Sequence, residues 1–198
     1  MSGLFFSCNH QINKIVLSPL FTDGMVLQRN TKVNIWGESP RNTEINIISE
    51  WGQRLKLKSD STGNWSGEIL TPKAGGPFYL KIISKNKKIK IKDIMIGEVW
   101  IASGQSNMEM TMNGFPPKEL ILNSENEMLN ANYPNIRMFD VEKSMKSKPS
   151  NTLSGSWIKT SPKEVESFST RYHVVNLSIN ENKKHPRREF LKLLCTVL

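Results

Sequence analysis

From Ile15 to Lys92 apolar and polar residues alternate with a period of two, in short runs. Ile15-Val16-Leu17 is the first apolar run. Met25-Val26-Leu27-Gln28 follows the turn Thr22-Asp23-Gly24, where glycine supplies the positive φ that such a turn needs. Val33, Ile35 and Gly37 alternate with Lys32, Asn34 and Trp36. Residues 45–48 and 55–58 read as two strands joined by a turn at Trp51-Gly52-Gln53. Residues 60–64 make a second turn and 65–69 the next strand. Residues 72–77 hold too much glycine and proline to be strand interior. Phe78, Leu80 and Ile82 then face one way, and Ile89 and Ile91 close the pattern. Such alternation implies one packed face and one wet face. Short strands at regular spacing, separated by glycine and proline turns, predict a sandwich or small barrel.

The period changes near Asp93. Ile94-Met95-Ile96 leads into Val99-Trp100-Ile101-Ala102, a buried strand that stops at Gly104-Gln105-Ser106. An apolar strand ending in Gly-x-Ser is where an α/β hydrolase can hold a nucleophile. The strand end is rigid, the glycine permits a sharp turn, and the serine is left at the lip of the sheet. The second glycine of the usual Gly-x-Ser-x-Gly elbow is absent, so spacing alone fits an ordinary polar turn as well. Residues 107–112 can begin a helix whose first N–H groups would favour negative charge developing at Ser106. Met108, Met110 and Met112 are read mainly as core filler. Glu109 is read as a structural or substrate-orienting residue, since no histidine links it to Ser106. Residues 114–117 break the chain, 118–129 can be helical, 136–141 read as a second α/β strand, and 143–156 read as a loop. Ser161-Pro162-Lys163-Glu164 starts a helix with proline in its first turn.

Composition changes this picture little. A chain of 198 residues allows one domain of fair size or two small ones. With 37% hydrophobic and 23% charged residues it has material for a packed core, which excludes wholesale disorder. The net charge of +9 raises a nucleic-acid reading. Against it, Lys85, Lys87, Lys88, Lys90 and Lys92 follow strand-like alternation, without zinc-finger spacing or an arginine-rich helix. They read as the wet face of a sheet, where lysine also guards an edge strand from pairing. Trp36 and Trp65 are read as core aromatics rather than as a sugar-stacking platform. Cys8 and Cys195 form no disulfide framework, and His10, His173 and His185 have no ligand spacing, so no metal or cofactor is expected. No stretch is long enough to span a membrane. The start, MSGLFFSCNHQINK, is poor as a signal peptide.

The run GEVWIASGQSNMEM at 97–110 resembles the nucleophile block of the sialate O-acetylesterase family, a carbohydrate-esterase branch of the SGNH hydrolases. Two more blocks match in order and spacing: LSPLFTDGMVLQRNTKVNIWGES at 17–39 and GNWSGEILTPKAGGPFYLKI at 63–82. IKIKDIMIGEVW follows the second of them. The resemblance covers roughly residues 15–170. It implies a leader at 1–14 and a β-rich, sandwich-like accessory domain at 15–92. The beginning of an α/β SGNH-type hydrolase domain, left incomplete, would occupy 93–169, with a divergent or frameshifted tail at 170–198.

The implied chemistry removes acetyl groups from hydroxyls of sialic acid and related sugars by two-step acyl transfer. Ser106 attacks the ester carbonyl, an acyl-enzyme forms, and water releases acetate. A histidine must take the serine proton, and an acid must hold that histidine. The family supplies this base from an Asp-x-x-His block far downstream. Here position 182, three before His185, is asparagine, and His173 also lacks an aspartate at that spacing. The Ser106 backbone N–H would be one oxyanion donor, joined by a glycine N–H and an amide from later blocks. Gly104, Gln105, Asn107 and Glu109 would support the site. The expected partner is an O-acetylated sugar, with no nucleic acid; the oligomeric state is left open. The family is often exported or lysosomal. Little esterase activity is expected of the chain as written. The competing reading is a non-catalytic carbohydrate-binding β-domain, which would bind glycan without ester turnover.

Overall fold

Along most of the early segments, less exposed side chains alternate with more exposed ones, and those segments form strands. The computed structural model describes residues 13–85, 87–101, 110–114, 117, 121–141, 153–166 and 194–196. The strands are β1 (Val16–Leu17), β2 (Val26–Gln28), β3 (Lys32–Glu38), β4 (Glu44–Ser49), β5 (Arg54–Lys58), β6 (Asn64–Leu70), β7 (Gly75–Ser84) and β8 (Lys87–Trp100). After them come α1 (Ser124–Leu129), β9 (Ile136–Val141), β10 (Gly155–Lys159), α2 (Pro162–Glu166) and β11 (Leu194–Thr196). Among the described residues β1, β3 and β6 form an antiparallel sheet. A larger mixed sheet runs β10-β9-β11-β8-β7-β4-β5, with β2 added parallel to β8.

Both sheets feed one core. Ile35, Trp65 and Ile69 come from the smaller sheet, and Ile45, Ile47, Leu80, Ile82, Ile94 and Ile96 from the larger. Isoleucine suits a pleated, packed face, and each such side chain contributes about 1.5–3 kcal/mol on full burial. Trp65 is a core aromatic, as expected. Trp36 is not: it is 38% exposed and meets buried Phe21 edge-on at 4.7 Å. Gly37 lets β1, β3 and β6 close up, because a Cβ there would stand 2.3 Å from the Val16 carbonyl oxygen and 2.8 Å from the Trp65 ring. Gly37→Ala is therefore expected to lower stability by roughly 1–3 kcal/mol, seen as a lower urea midpoint with unchanged m.

Strand β8 is the longest described element and is buried from Ile94 to Gly97, but Trp100 and Ile101, expected in a buried strand, are exposed. Leu80 pairs with Ile91 and Phe78 with Ile94, so Lys92 and Asp93 together oppose Tyr79 alone. This is a β-bulge, with Asp93 at φ 57. The extra residue lets Ile91 and Ile94, three apart, both face inward. The strand runs through residue 93 rather than ending there, which is why the hydrophobic period changes at that point.

Several expectations are corrected. Strand β7 already begins at Gly75, paired with Ile96, and register irregularities before Phe78 and Leu80 accommodate Gly76 and Pro77. Proline is tolerated there because a bulged strand start needs no ladder donor. Among the described residues the lysine-rich stretch 87–91 of β8 pairs only with β7 and is a sheet edge, as expected, while β2 and β11 join β8 only from Met95 onward. The helix expected over 107–112 does not cover its last residues. Thr111 and Gly114 close a turn instead, with the Gly114 N–H donating to the Thr111 carbonyl at 2.9 Å. Among the described residues of the stretch 118–129, expected to be helical, only Ser124–Leu129 is helix, and the left-handed Asn123 at φ 61 separates it from residues 121–122. The loop expected over 143–156 gives way to β10 at Gly155, whose short half-polar sequence shows too little alternation to be recognised alone. The tail contains β11, antiparallel to both β8 and β9 and lying between them.

Candidate functional site

The candidate nucleophile segment begins where β8 ends. Gly104, Gln105, Ser106, Asn107 and Glu109 lie outside the described residues, as do His10, His173 and His185. The described structure fixes the two ends of that segment. On the near side, the Gln28 side chain grips β8 twice. Its Nε2 donates to Glu98 Oε2 at 2.9 Å, and its Oε1 accepts from the Val99 N–H at 2.8 Å. Arg29 adds an ion pair to Glu98 Oε1 at 2.5 Å, and its backbone N–H donates to the Gly97 carbonyl. The Gln28 bond, then the Arg29 bond, hold the Glu98 carboxyl below the usual range. The LQR of the first matching block thus braces the GEV of the nucleophile block, a pairing that sequence spacing does not display. Among the described residues, Trp100 and Ile101 stand more than half exposed at the strand end.

On the far side, Met112 is fully buried with Ala131, Ile136, Met138 and Val165. It is a core filler, as expected, and moors the chain under β9 within a turn.

A second cluster lies beside this frame and was not anticipated. Arg137 in β9 is 3% exposed. Its Nη1 donates to the Gly24 carbonyl at 2.9 Å and to the Asp93 carbonyl, and its Nη2 donates to Asp93 Oδ1 at 2.8 Å. Lys159 Nζ lies 2.7 Å from Asp93 Oδ2. Trp157 donates from Nε1 to the Leu20 carbonyl at 2.8 Å and meets Phe139 edge-on. These contacts latch β9 and β10 onto the 17–24 loop and the β8 bulge. Asp93, Arg137 and Lys159 also line an open cleft of about 490 Å³, together with Gly75, Gly76, Pro77, Met95, Pro134 and Asn135. One signal existed in advance: a lone arginine inside the apolar strand IRMFDV must find carbonyl or carboxylate partners.

Burial raises the Asp93 pKa, but hydrogen bonds from Lys159 and Arg137 outweigh it and leave the group below its ordinary value. A depressed folded pKa gives stability that is present above the unfolded value of about 3.9 and is lost as pH falls through the folded value. Asp93→Asn is thus expected to be less stable than the parent at pH 7, with the gap closing as pH drops below about 4. Asparagine tolerates the left-handed backbone equally, so the swap isolates the charge. Urea titrations of both forms at several pH values check this; a gap independent of pH would contradict it.

Comparison with known proteins was made against this geometry. No protein-family model matches the chain. The sialate O-acetylesterase of Mus musculus is 29% identical over 128 residues, 59% of this chain and 23% of the mouse protein. Its relatives are sialate O-acetylesterases. The Homo sapiens protein of that name is 30% identical over 128 residues, again 59% of this chain and 23% of the relative. The match thus spans about a quarter of the length of these curated relatives. A crystal structure of a carbohydrate acetylesterase from Xanthomonas citri superposes with a TM-score of 0.75 at 29% identity, over 83% of this chain and 37% of that one. The resemblance to the sialate O-acetylesterase family therefore holds in sequence for the N-terminal portion, and the structural neighbour is a carbohydrate acetylesterase.

Among the described residues no helix is long and apolar enough to cross a membrane.

Proposed function

We propose that this chain is the N-terminal part of a sialate O-acetylesterase-like serine esterase, which removes acetyl groups from sialic acid or related sugars. The observation that carries the reading is the superposition on a carbohydrate acetylesterase over 83% of the chain. In this reading residues 15–92 are a sandwich-like accessory domain and residues 93–169 begin an SGNH-type α/β domain. Ser106 is the nucleophile, its own backbone N–H one oxyanion donor, and Gly104 the turn glycine. Gln105, Asn107 and Glu109 orient the turn and the substrate. The bracing of Glu98 and Val99 by Gln28 and Arg29 supports this, since a nucleophile needs a strand end that does not move during acyl transfer.

The reaction needs a base at Ser106, and no histidine of the sequence stands in an Asp-x-x-His block. The 198-residue chain alone is therefore a weak esterase. The test measures acetate release from an O-acetylated sialic acid by this chain and by a form carrying a downstream Asp-x-x-His block. Release by the longer form, lost on Ser106→Ala, supports the reading. Release by neither form overturns it.

A further inference from the structure

The wet face of the β5-β4-β7-β8 sheet is a basic lattice. In register, Lys81 stands opposite Lys90 and Ile83 opposite Lys88. Across the next strands Ile48 lies between Lys81 and Arg54. Like charges directly opposite destabilise a strand pair. Here Tyr79 offsets part of that cost. The Lys90 ammonium sits 4.2 Å from its ring centroid and the Lys81 ammonium 4.8 Å. Each such contact contributes about 0.5–1 kcal/mol at an exposed site. The ring holds together two cations that would otherwise swing apart. Among the described residues none of Lys81, Lys88, Lys90 and Arg54 makes an ion pair with a carboxylate. The acids nearest in register are engaged: Glu44 pairs with Lys56 at 3.0 Å, and Glu50 accepts from the Tyr79 N–H at 2.9 Å.

We infer that this sheet face binds an anionic glycan, a chain of sugars carrying repeated carboxylates. The inference rests on the esterase reading, because acidic sugars are the class on which that reading places the chemistry. Facing backbone positions on neighbouring strands are about 4.8 Å apart, and positions two residues apart on one strand about 6.8 Å, and the long lysine and arginine side chains extend from these positions. This grid suits repeated carboxylates held by charge rather than one ligand in a pocket. Nucleic acid is disfavoured because the one aromatic placed there, Tyr79, has its ring taken up by two ammoniums and offers bases no stacking platform. A lipid surface is disfavoured because Ile48 and Ile83, the apolar residues of the grid, are half-buried and offer no inserting side chain.

The test is a titration of the 198-residue chain with polysialic acid, neutral dextran, single-stranded DNA and anionic vesicles at two salt concentrations. Polysialic acid is expected to bind, more weakly at high salt, and dextran not at all. Lys81→Glu with Lys90→Glu should weaken binding at least about tenfold. Tyr79→Leu, which leaves net charge unchanged, should weaken it roughly threefold by releasing the paired lysines. Lys73→Glu, an equal single charge change on an exposed turn, should have little effect. Circular dichroism confirms that each variant is folded. The inference is overturned if polysialic acid does not bind, if Lys73→Glu weakens binding as much as Lys81→Glu alone, or if DNA or vesicles bind more tightly. Binding is read without turnover. Lost binding with acetyl-ester hydrolysis by the form carrying a downstream Asp-x-x-His block sinks this inference alone, and intact binding with no hydrolysis by either form sinks the esterase reading alone.

Discussion

Ser106→Ala, in a form of the protein that carries the downstream base, is expected to reduce hydrolysis of p-nitrophenyl acetate by about 10⁴–10⁶-fold. In the proposed reaction the serine oxygen is the atom that bonds to the acyl carbon, and no neighbouring side chain is a comparable nucleophile. Gln105 and Asn107 are amides, which are poor nucleophiles. Glu109 would have to form a mixed anhydride, a much more reactive intermediate than a serine ester. The residual rate would come from oxyanion donors and substrate binding alone. The loss should fall on kcat with little change in KM, because alanine leaves the substrate contacts in place. Circular dichroism and the urea midpoint should match the parent. Retained turnover above about 1% would remove Ser106 from the reaction.

Arg137→Met is expected to lower stability by about 3 kcal/mol. Methionine keeps the volume and loses the charge, so the effect isolates the hydrogen bonds. Removing the guanidinium strips partners from two backbone carbonyls, at Gly24 and Asp93, and from one carboxylate oxygen. Lys159 still neutralises Asp93 from the solvent side, which keeps the loss below that of an isolated buried charge. Lys159→Met, by contrast, should cost less than about 1 kcal/mol, since Lys159 is 55% exposed. Urea unfolding of both variants checks the ordering. Equal losses would mean that burial does not separate the two cations.

Much of the β architecture was legible along the chain because an alternating strand states its own buried face. Ile45, Ile47, Leu80 and Ile82 are all fully buried, as their period requires. IRMFDV became β9 at the expected bounds for the same reason. The helices were less legible. α1 buries no residue at all, so little periodic signal existed to delimit it. Its start was set by the left-handed Asn123, a backbone choice that hydrophobicity does not report. β10 was missed because pairing with β9, rather than its own pattern, makes it a strand.

The candidate site divides in the same way. The order of local chemistry, an apolar strand followed by Gly104-Gln105-Ser106, is a property of adjacent residues and is complete in the sequence. So is the family resemblance, which depends on blocks read in order. Partnerships between distant residues are not. Gln28 and Arg29 reach Glu98 and Val99 across about seventy positions. Arg137 reaches Gly24 across 113 positions and Asp93 across 44, and Tyr79 gathers Lys81 and Lys90 from two strands. By itself the sequence determined which faces must be buried, since period and side-chain type fix that locally. Only the tertiary structure decided which charges meet, because strand register and the bulge at Asp93 bring them together, and register depends on the packing of the whole sheet.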